Sequence, residues 1–380
     1  MKRILFIPST MQGGVYYYRV YTPMKQIIEQ TDGEFDITID NHYHFTDTEK
    51  DEIGKNFDIV IIHNGLYMPE IQDEFWKTIV YCKNEYGTRF VLDLDDYWDY
   101  GPQHPCYKVC EFYGFEDKMM INFNLFDYVT TTTEYFKDII SKYFSKEKIY
   151  VFENAISVTD EQFSMEKNKS DKLRLGLTGG SSHMEDIKQL LDFPKYLTEK
   201  QVKEIEVVLC GYDVKNSEKV EIDDNGNVVS KSKLDEKYNW WYQIENKLKL
   251  VSPNYKRIET KDIVKGEFGQ IYKDIDILLV PLNNTTFNRC KSELKFIEAG
   301  FTNTAIMASN VIPYSNFGTN NSDCILVKEP TPQCWAKEIK KLLRDRDKIL
   351  NITSENSFRV RTLRNLETIT DKRIEFLNKI

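Results

Sequence analysis

Short apolar, β-branched runs recur along the chain, each followed by a polar loop and then a stretch of helical period. In the first half, residues 3–8, 35–39, 57–63, 89–94, 126–131 and 148–152 read as strands. Residues 20–30, 70–85 and 134–143 repeat their apolar positions at helical spacing between them. Polar residues 159–172 form a linker, and the pattern then restarts. Strands are predicted at 173–177, 205–210, 255–259, 275–281 and 304–308, with helices at 184–191, 238–250 and 266–273. Residues 333–348 and 354–379 are helical by period. The strongly polar stretch 213–237 carries Asn225-Gly226, a hairpin-turn signature, and reads as a surface excursion. Strands separated by helices of this length predict an α/β protein of two parallel, helix-covered sheets.

Length agrees with that division, since 380 residues exceed one ordinary core and predict two domains, 1–165 and 170–353. Composition is that of a globular chain, 41% hydrophobic and 29% charged. No apolar stretch reaches membrane-spanning length and the N-terminus lacks a small-residue cleavage site, which predicts a cytoplasmic protein. The seven cysteines fall largely inside strand or helix patterns, as free buried thiols do. His104, Cys106 and Cys110 have ligand-like spacing but no matching second pair, so no metal site is expected there.

Charge narrows the partners. The net charge is −9, and residues 1–150 hold 15 Lys/Arg against 25 Asp/Glu. An acidic first half fits nucleic acid poorly. The basic tail from Lys337 suits a peripheral contact with anionic lipid, but its interspersed acids favour a solvated helix.

The most informative stretch is residues 277–300, ILLVPLNNTTFNRCKSELKFIEAG. It reads as a buried strand, a polar loop and a short helix ending at Gly300. On a continuous helix, Lys291, Lys295 and Glu298 stand at i, i+4 and i+7 and share one face near its start. Free backbone N–H groups, the positive end of the helix dipole and two ammonium groups suit a diphosphate. Glu298, one turn further in, could accept hydrogen bonds from ribose hydroxyls. The same spacing also describes an ordinary solvated face, but its place just past a buried strand is where open α/β sheets bind ligands.

Five segments extend this reading: Gly13-Gly14 followed by YYYRVYTP, the Asn154 segment IYVFENAIS, GLTGGSSHMED at 176–186, Lys295-x-x-Glu298, and the C-terminal helix. Together they resemble a GT-B-fold glycosyltransferase, most closely the retaining family-four type that uses nucleotide sugars. The resemblance implies two Rossmann-like domains facing a cleft, with residues 354–380 crossing back to the first domain. It implies that the second domain binds the donor, a nucleotide diphosphate sugar with UDP favoured. The first domain would take a glycan, lipid-linked or other hydroxyl acceptor. It assigns Glu298 to the ribose, Lys295 and Lys291 to phosphate, and Gly179, Gly180 and Ser181 to the loop facing the diphosphate. Gly13 and Gly14 would let the first loop approach the same phosphates.

The acceptor side would comprise Tyr17, Arg19 and His63, with His63, Asp95 and Lys295 as catalytic candidates. Asp93, Asp95 and Asp96 equally suit an acid-rich capped turn, and three consecutive tyrosines cannot all face one way. This chain departs from the family at Cys290, where many members carry a second glutamate, and in lacking basic residues after the strand 173–177. No metal and no cofactor are expected, because lysines and helix dipoles would offset leaving-group charge. The expected reaction is hexosyl transfer with retention; a nucleotide-sugar 2-epimerase and a non-catalytic GT-B-like binding protein are the alternatives. A nicotinamide dehydrogenase is disfavoured, since no G-x-G-x-x-G follows either first strand.

Overall fold

The computed structural model of the protein describes residues 1–380 except 44, 67–68, 103, 105, 180–182, 213–217, 223–227 and 234–239. The chain divides into two compact units. The first comprises residues 1–160, 284–297 and 360–380; the second comprises 161–283 and 298–359. Residues 284–297, which the sequence alone groups with the second half, therefore belong to the first unit. No helix among the described residues is long and apolar enough to cross a membrane.

The first unit is built on a parallel sheet of β1 (Lys2–Ile7), β2 (Phe35–Ile39), β3 (Ile59–His63), β4 (Arg89–Asp93), β5 (Tyr128–Thr131) and β6 (Ile149–Val151). Its strand order is β2-β1-β3-β4-β5-β6. β3 is buried along its whole length, as expected of a strand covered on both faces. Helices Thr22–Thr31 and Leu366–Lys379 pack together within this unit, and Phe376 seats its ring on Tyr150 at 4.5 Å. The expected long C-terminal helix is in fact two, Asp347–Leu363 and Leu366–Lys379. They part at Arg364 and Asn365, where the chain bridges to Ile156 through Leu366 N–H and the Arg364 carbonyl.

The second sheet contains β7 (Leu173–Thr178), β8 (Ile205–Tyr212), β11 (Tyr255–Glu259), β12 (Ile277–Val280), β13 (Ala305–Ser309) and β14 (Ile325–Val327). Its order is β11-β8-β7-β12-β13-β14, all parallel. The polar excursion forms a separate antiparallel pair, β9 (Glu218–Ile222) and β10 (Val228–Lys233). The Asn225-Gly226 turn predicted between them lies outside the described residues. Each unit has its own apolar core, one around Leu5, Val60 and Phe90 and the other around Leu175, Val207 and Trp335.

An aspartate placed just before a strand ties it to its neighbour in both sheets. Asp58 accepts from the backbone N–H of Arg3 and from its guanidinium, and Asp276 does the same for Arg174, with Arg174 Nη2 at 2.6 Å. Asp127 accepts from Phe90 N–H at 2.9 Å. These contacts satisfy strand-end donors that the ladder leaves over.

The largest local difference from expectation is at Tyr16–Tyr21, a π-helical turn set between Gly13–Val15 and Thr22–Thr31. The Thr22 N–H bonds five residues back to the Tyr17 carbonyl. The wide turn buries Tyr16, Tyr17, Tyr18 and Arg19 together, so all three tyrosines are core residues.

Candidate functional site

In open α/β sheets, ligands bind beyond the carboxyl ends of the strands where the strand order reverses direction. In the first unit that point lies between β1 and β3; in the second it lies between β7 and β12. Both points carry clustered polar side chains.

At the first, His63 closes β3 and is buried. Its Nδ1 lies 2.7 Å from Ser9 Oγ, just past β1, and its Nε2 lies 2.9 Å from Asp95 Oδ1, just past β4. A carboxylate only accepts, so Nε2 carries a proton and donates to Asp95. Burial opposes charge on the ring, but the Asp95 charge and hydrogen bond, with Asp93 beyond, outweigh it and raise the His63 pKa. Asp95 is half-buried; partial burial opposes its charge, but His63, Arg19 and Lys291 outweigh that and hold its pKa below the usual carboxylate range. The polarity of exposed Ser9 follows from the ring's charge. Beside a neutral ring its hydroxyl donates inward to Nδ1, whereas beside an imidazolium it accepts from Nδ1 and its own proton is free to donate outward. Sequence reasoning missed Ser9, because only the pairing of β1 with β3 brings residue 9 to residue 63.

The neighbouring acids have separate partners. Asp93 holds Arg19 through two bonds, Nη2–Oδ1 at 2.5 Å and Nε–Oδ2 at 3.2 Å, and accepts from Thr130 Oγ1. Asp96 faces Lys291 Nζ at 3.3 Å. Arg19, expected on the acceptor face, is instead buried and also donates to the Phe152 carbonyl. Tyr17, expected beside it, is buried with its hydroxyl on Asp160. Gly13 adopts φ +71°, which favours glycine, and opens the helical run after the Ser9 loop; Gly14 follows it, with no such constraint.

The face proposed for Lys291, Lys295 and Glu298 is not continuous. Helix Thr286–Cys290 ends at Lys291, whose ψ of 158° is extended, and a new helix runs Leu294–Phe301. The break has long-range causes. Ser292 accepts from Asn154, and buried Glu293 pairs with Arg364 at 2.5 Å. Lys291 therefore leaves the shared face and lies over the Phe287 ring, near Asp96. Lys295 and Glu298 keep their three-residue spacing on the second helix, Lys295 half-buried. Glu298 is buried, and Tyr272 donates its hydroxyl to Glu298 Oε2 at 2.5 Å. Burial and the Glu298 carboxylate drive the Tyr272 pKa well up, so the phenol remains a donor. Cys290 lies in the first unit's core with its thiol pushed up to about 12, far from a sugar-binding carboxylate in character.

At the second point, Gly179 follows β7 with φ +150°, and an added Cβ would meet His183 at 3.3 Å. Gly180 and Ser181, also expected there, lie outside the described residues. His183 Nδ1 is 3.1 Å from Asp186, which accepts from the Asn283 N–H just past β12. Gln189 donates to the Asn283 side chain and accepts from Ser309, which in turn accepts from Leu282 N–H. These bonds tie Asp186 and Gln189, on the helical turns Met184–Ile187 and Lys188–Leu190, to the residues that follow β12 and to Ser309 at the end of β13. Among the described residues no group of three His, Cys, Asp or Glu side chains could hold a metal ion; the His104 ring packs at a tilt against Tyr100 and Phe287.

No family model matches this sequence, and no curated protein matches it. Solved structures do. Anabaena Alr3699/HepE, crystallised with UDP and glucose, superposes with a TM-score of 0.66 at 12% identity over 100% of both chains. Sucrose-phosphate synthase from Thermosynechococcus elongatus gives 0.69 at 12% identity over 100% of this chain and 99% of its own. An α-glucosyltransferase complexed with UDP-glucose and DNA containing an abasic site gives 0.62 at 12% identity, over 100% and 99%. With two six-stranded parallel sheets, the chain has the GT-B fold of these glycosyltransferases.

Proposed function

We propose that this protein is a glycosyltransferase that moves a hexosyl group from a nucleotide diphosphate sugar, UDP-linked by preference, to a hydroxyl acceptor with retention. The observation that carries the reading is the helix Leu294–Phe301, on which Lys295 stands three residues before Glu298, whose buried carboxylate is anchored by Tyr272. An ammonium group suits a phosphate and a fixed carboxylate suits ribose hydroxyls. Further support comes from neighbours of the same fold crystallised with UDP or UDP-glucose.

Under this reading Lys295 offsets charge on the departing diphosphate, Gly179, Gly180 and Ser181 approach it, and Lys291 helps from outside that helix face. The diphosphate takes the acceptor proton on the same face of the sugar, so no protein nucleophile is required. Ser9, His63 and Asp95 bind and orient the acceptor hydroxyl. The acidic balance of residues 1–150 favours a glycan or other neutral acceptor over a polyanion.

Calorimetric titration with UDP tests the donor assignment. Losing a charge-assisted contact costs about 1.5–3 kcal/mol, so Lys295→Ala should bind UDP at least about tenfold more weakly while remaining folded. Unchanged affinity in a folded variant refutes the assignment. Product analysis with UDP-glucose and no acceptor separates transfer from 2-epimerisation, and NMR of the glycoside reads the configuration.

A further inference from the structure

A pocket of about 30 Å³ lies within the first unit, lined by Phe6, Ile61, Phe152 and Phe376 together with Arg19, Asp93 and Arg373. It holds two guanidinium groups and one carboxylate. Both oxygens of Asp93 are already engaged, by Arg19 and by the Thr130 hydroxyl. Arg373, on the C-terminal helix, is 4% exposed. It donates Nη2 to the Glu153 carbonyl and stands 5.2 Å from the Phe152 ring, yet its Nη1 finds no partner among the described residues. No ion pair to Arg373 is found among them either.

A buried charged donor without an acceptor is costly, and structures supply the missing partner. We propose that this pocket is a binding site for a monovalent inorganic anion of halide size, held between Arg373 and Arg19. Water satisfies a donor but leaves the excess positive charge, whereas a halide answers both. The space, room for about two waters, admits a single monatomic ion and is too small for a sulfate in an apolar frame. Burial and the nearby Arg19, only partly opposed by Asp93 and Glu153, lower the Arg373 pKa to about 9, as expected of a cation short of counter-charge. The bound ion would clamp helix Leu366–Lys379 onto the sheet, independently of what the enzyme transfers.

The test uses the full-length protein in sodium gluconate, with chloride replacing gluconate at constant ionic strength. A saturable rise in Tm is expected, of several degrees by the time chloride reaches about 100-fold over its dissociation constant. Arg373→Met, an apolar replacement of similar length, should fold and lose the chloride dependence. Crystals soaked in bromide should give an anomalous peak within hydrogen-bonding distance of Arg373 Nη1. A Tm indifferent to chloride, an equal response in Arg373→Met, or a pocket holding only water after the soak each overturns the proposal.

Discussion

Replacing Arg19 separates a ligand-contacting role from a structural one. In the folded protein the Arg19 and Asp93 side chains are only 3% and 4% exposed, joined by two bonds. Arg19→Ala leaves the Asp93 carboxylate buried with the Thr130 hydroxyl and strips a donor from the Phe152 carbonyl. Breaking a buried pair by removing one partner costs about 3–5 kcal/mol. The lower end applies here, because Arg373 lines the same pocket and supplies some counter-charge. For a unit of this size each kcal/mol shifts Tm by about 2–4 °C, so the loss should reach on the order of 6–12 °C. Scanning calorimetry and urea titration read it, and the paired apolar variant Arg19→Met with Asp93→Leu should recover much of the stability. An Arg19→Ala protein with wild-type Tm and only a raised acceptor KM would refute the structural reading and return Arg19 to the acceptor surface.

Three further outcomes are expected. The raised pKa of His63 makes its pair with Asp95 stabilising at pH below the unfolded histidine value of about 6.5, with that contribution fading as pH rises through the higher folded pKa. The lowered Asp95 pKa adds stability above about pH 3.9 that fades as pH falls through the folded value. The Tm difference between wild type and His63→Gln should accordingly be largest between those limits and shrink on the alkaline side; a difference that grows there contradicts the pairing. Gly269→Ala should destabilise the second unit by about 1–3 kcal/mol or more, since its Cβ would stand 1.8 Å from the Gln162 carbonyl; a neutral Tm would refute it. Turnover should survive a chelator, and activity abolished by it and restored by magnesium would redirect attention to Asp93, Asp95 and Asp96 as ligands.

The strands were legible because their burial is written locally: β2 and β11 fall on the predicted residues, and most others within one or two. The helix Asp47–Asn56 escaped despite a Thr46–Glu49 capping box, because its weak apolar period masked the signal. Helices Tyr107–Phe112 and Phe115–Leu125 escaped as well, the aromatic residues around Gly114 spreading their apolar positions over several faces. Single polar residues at strand and helix ends stood out in the sequence, as His63 and Glu298 did, and both are buried and hydrogen-bonded. The candidate site was not legible where partners come from afar. Local spacing placed Lys291 with Lys295, whereas Asn154 and Arg364, distant in sequence, draw Ser292 and Glu293 out of a continuous helix.

The π-turn at Tyr16–Tyr21 acts as an angular adjuster. One surplus residue in a helical run rotates everything before it by about 100° relative to everything after it. Here the loop from Ser9 to Gln12 lies on one side of that turn, and the helix Thr22–Thr31, packed against the C-terminal helix, lies on the other. The orientation of the Ser9 loop is thus set by a count of residues as much as by contacts. Deleting a single residue between Val15 and Tyr21 would close the turn to an ordinary helix and swing the loop away from His63. Packing of the helix Thr22–Thr31 would be left in register.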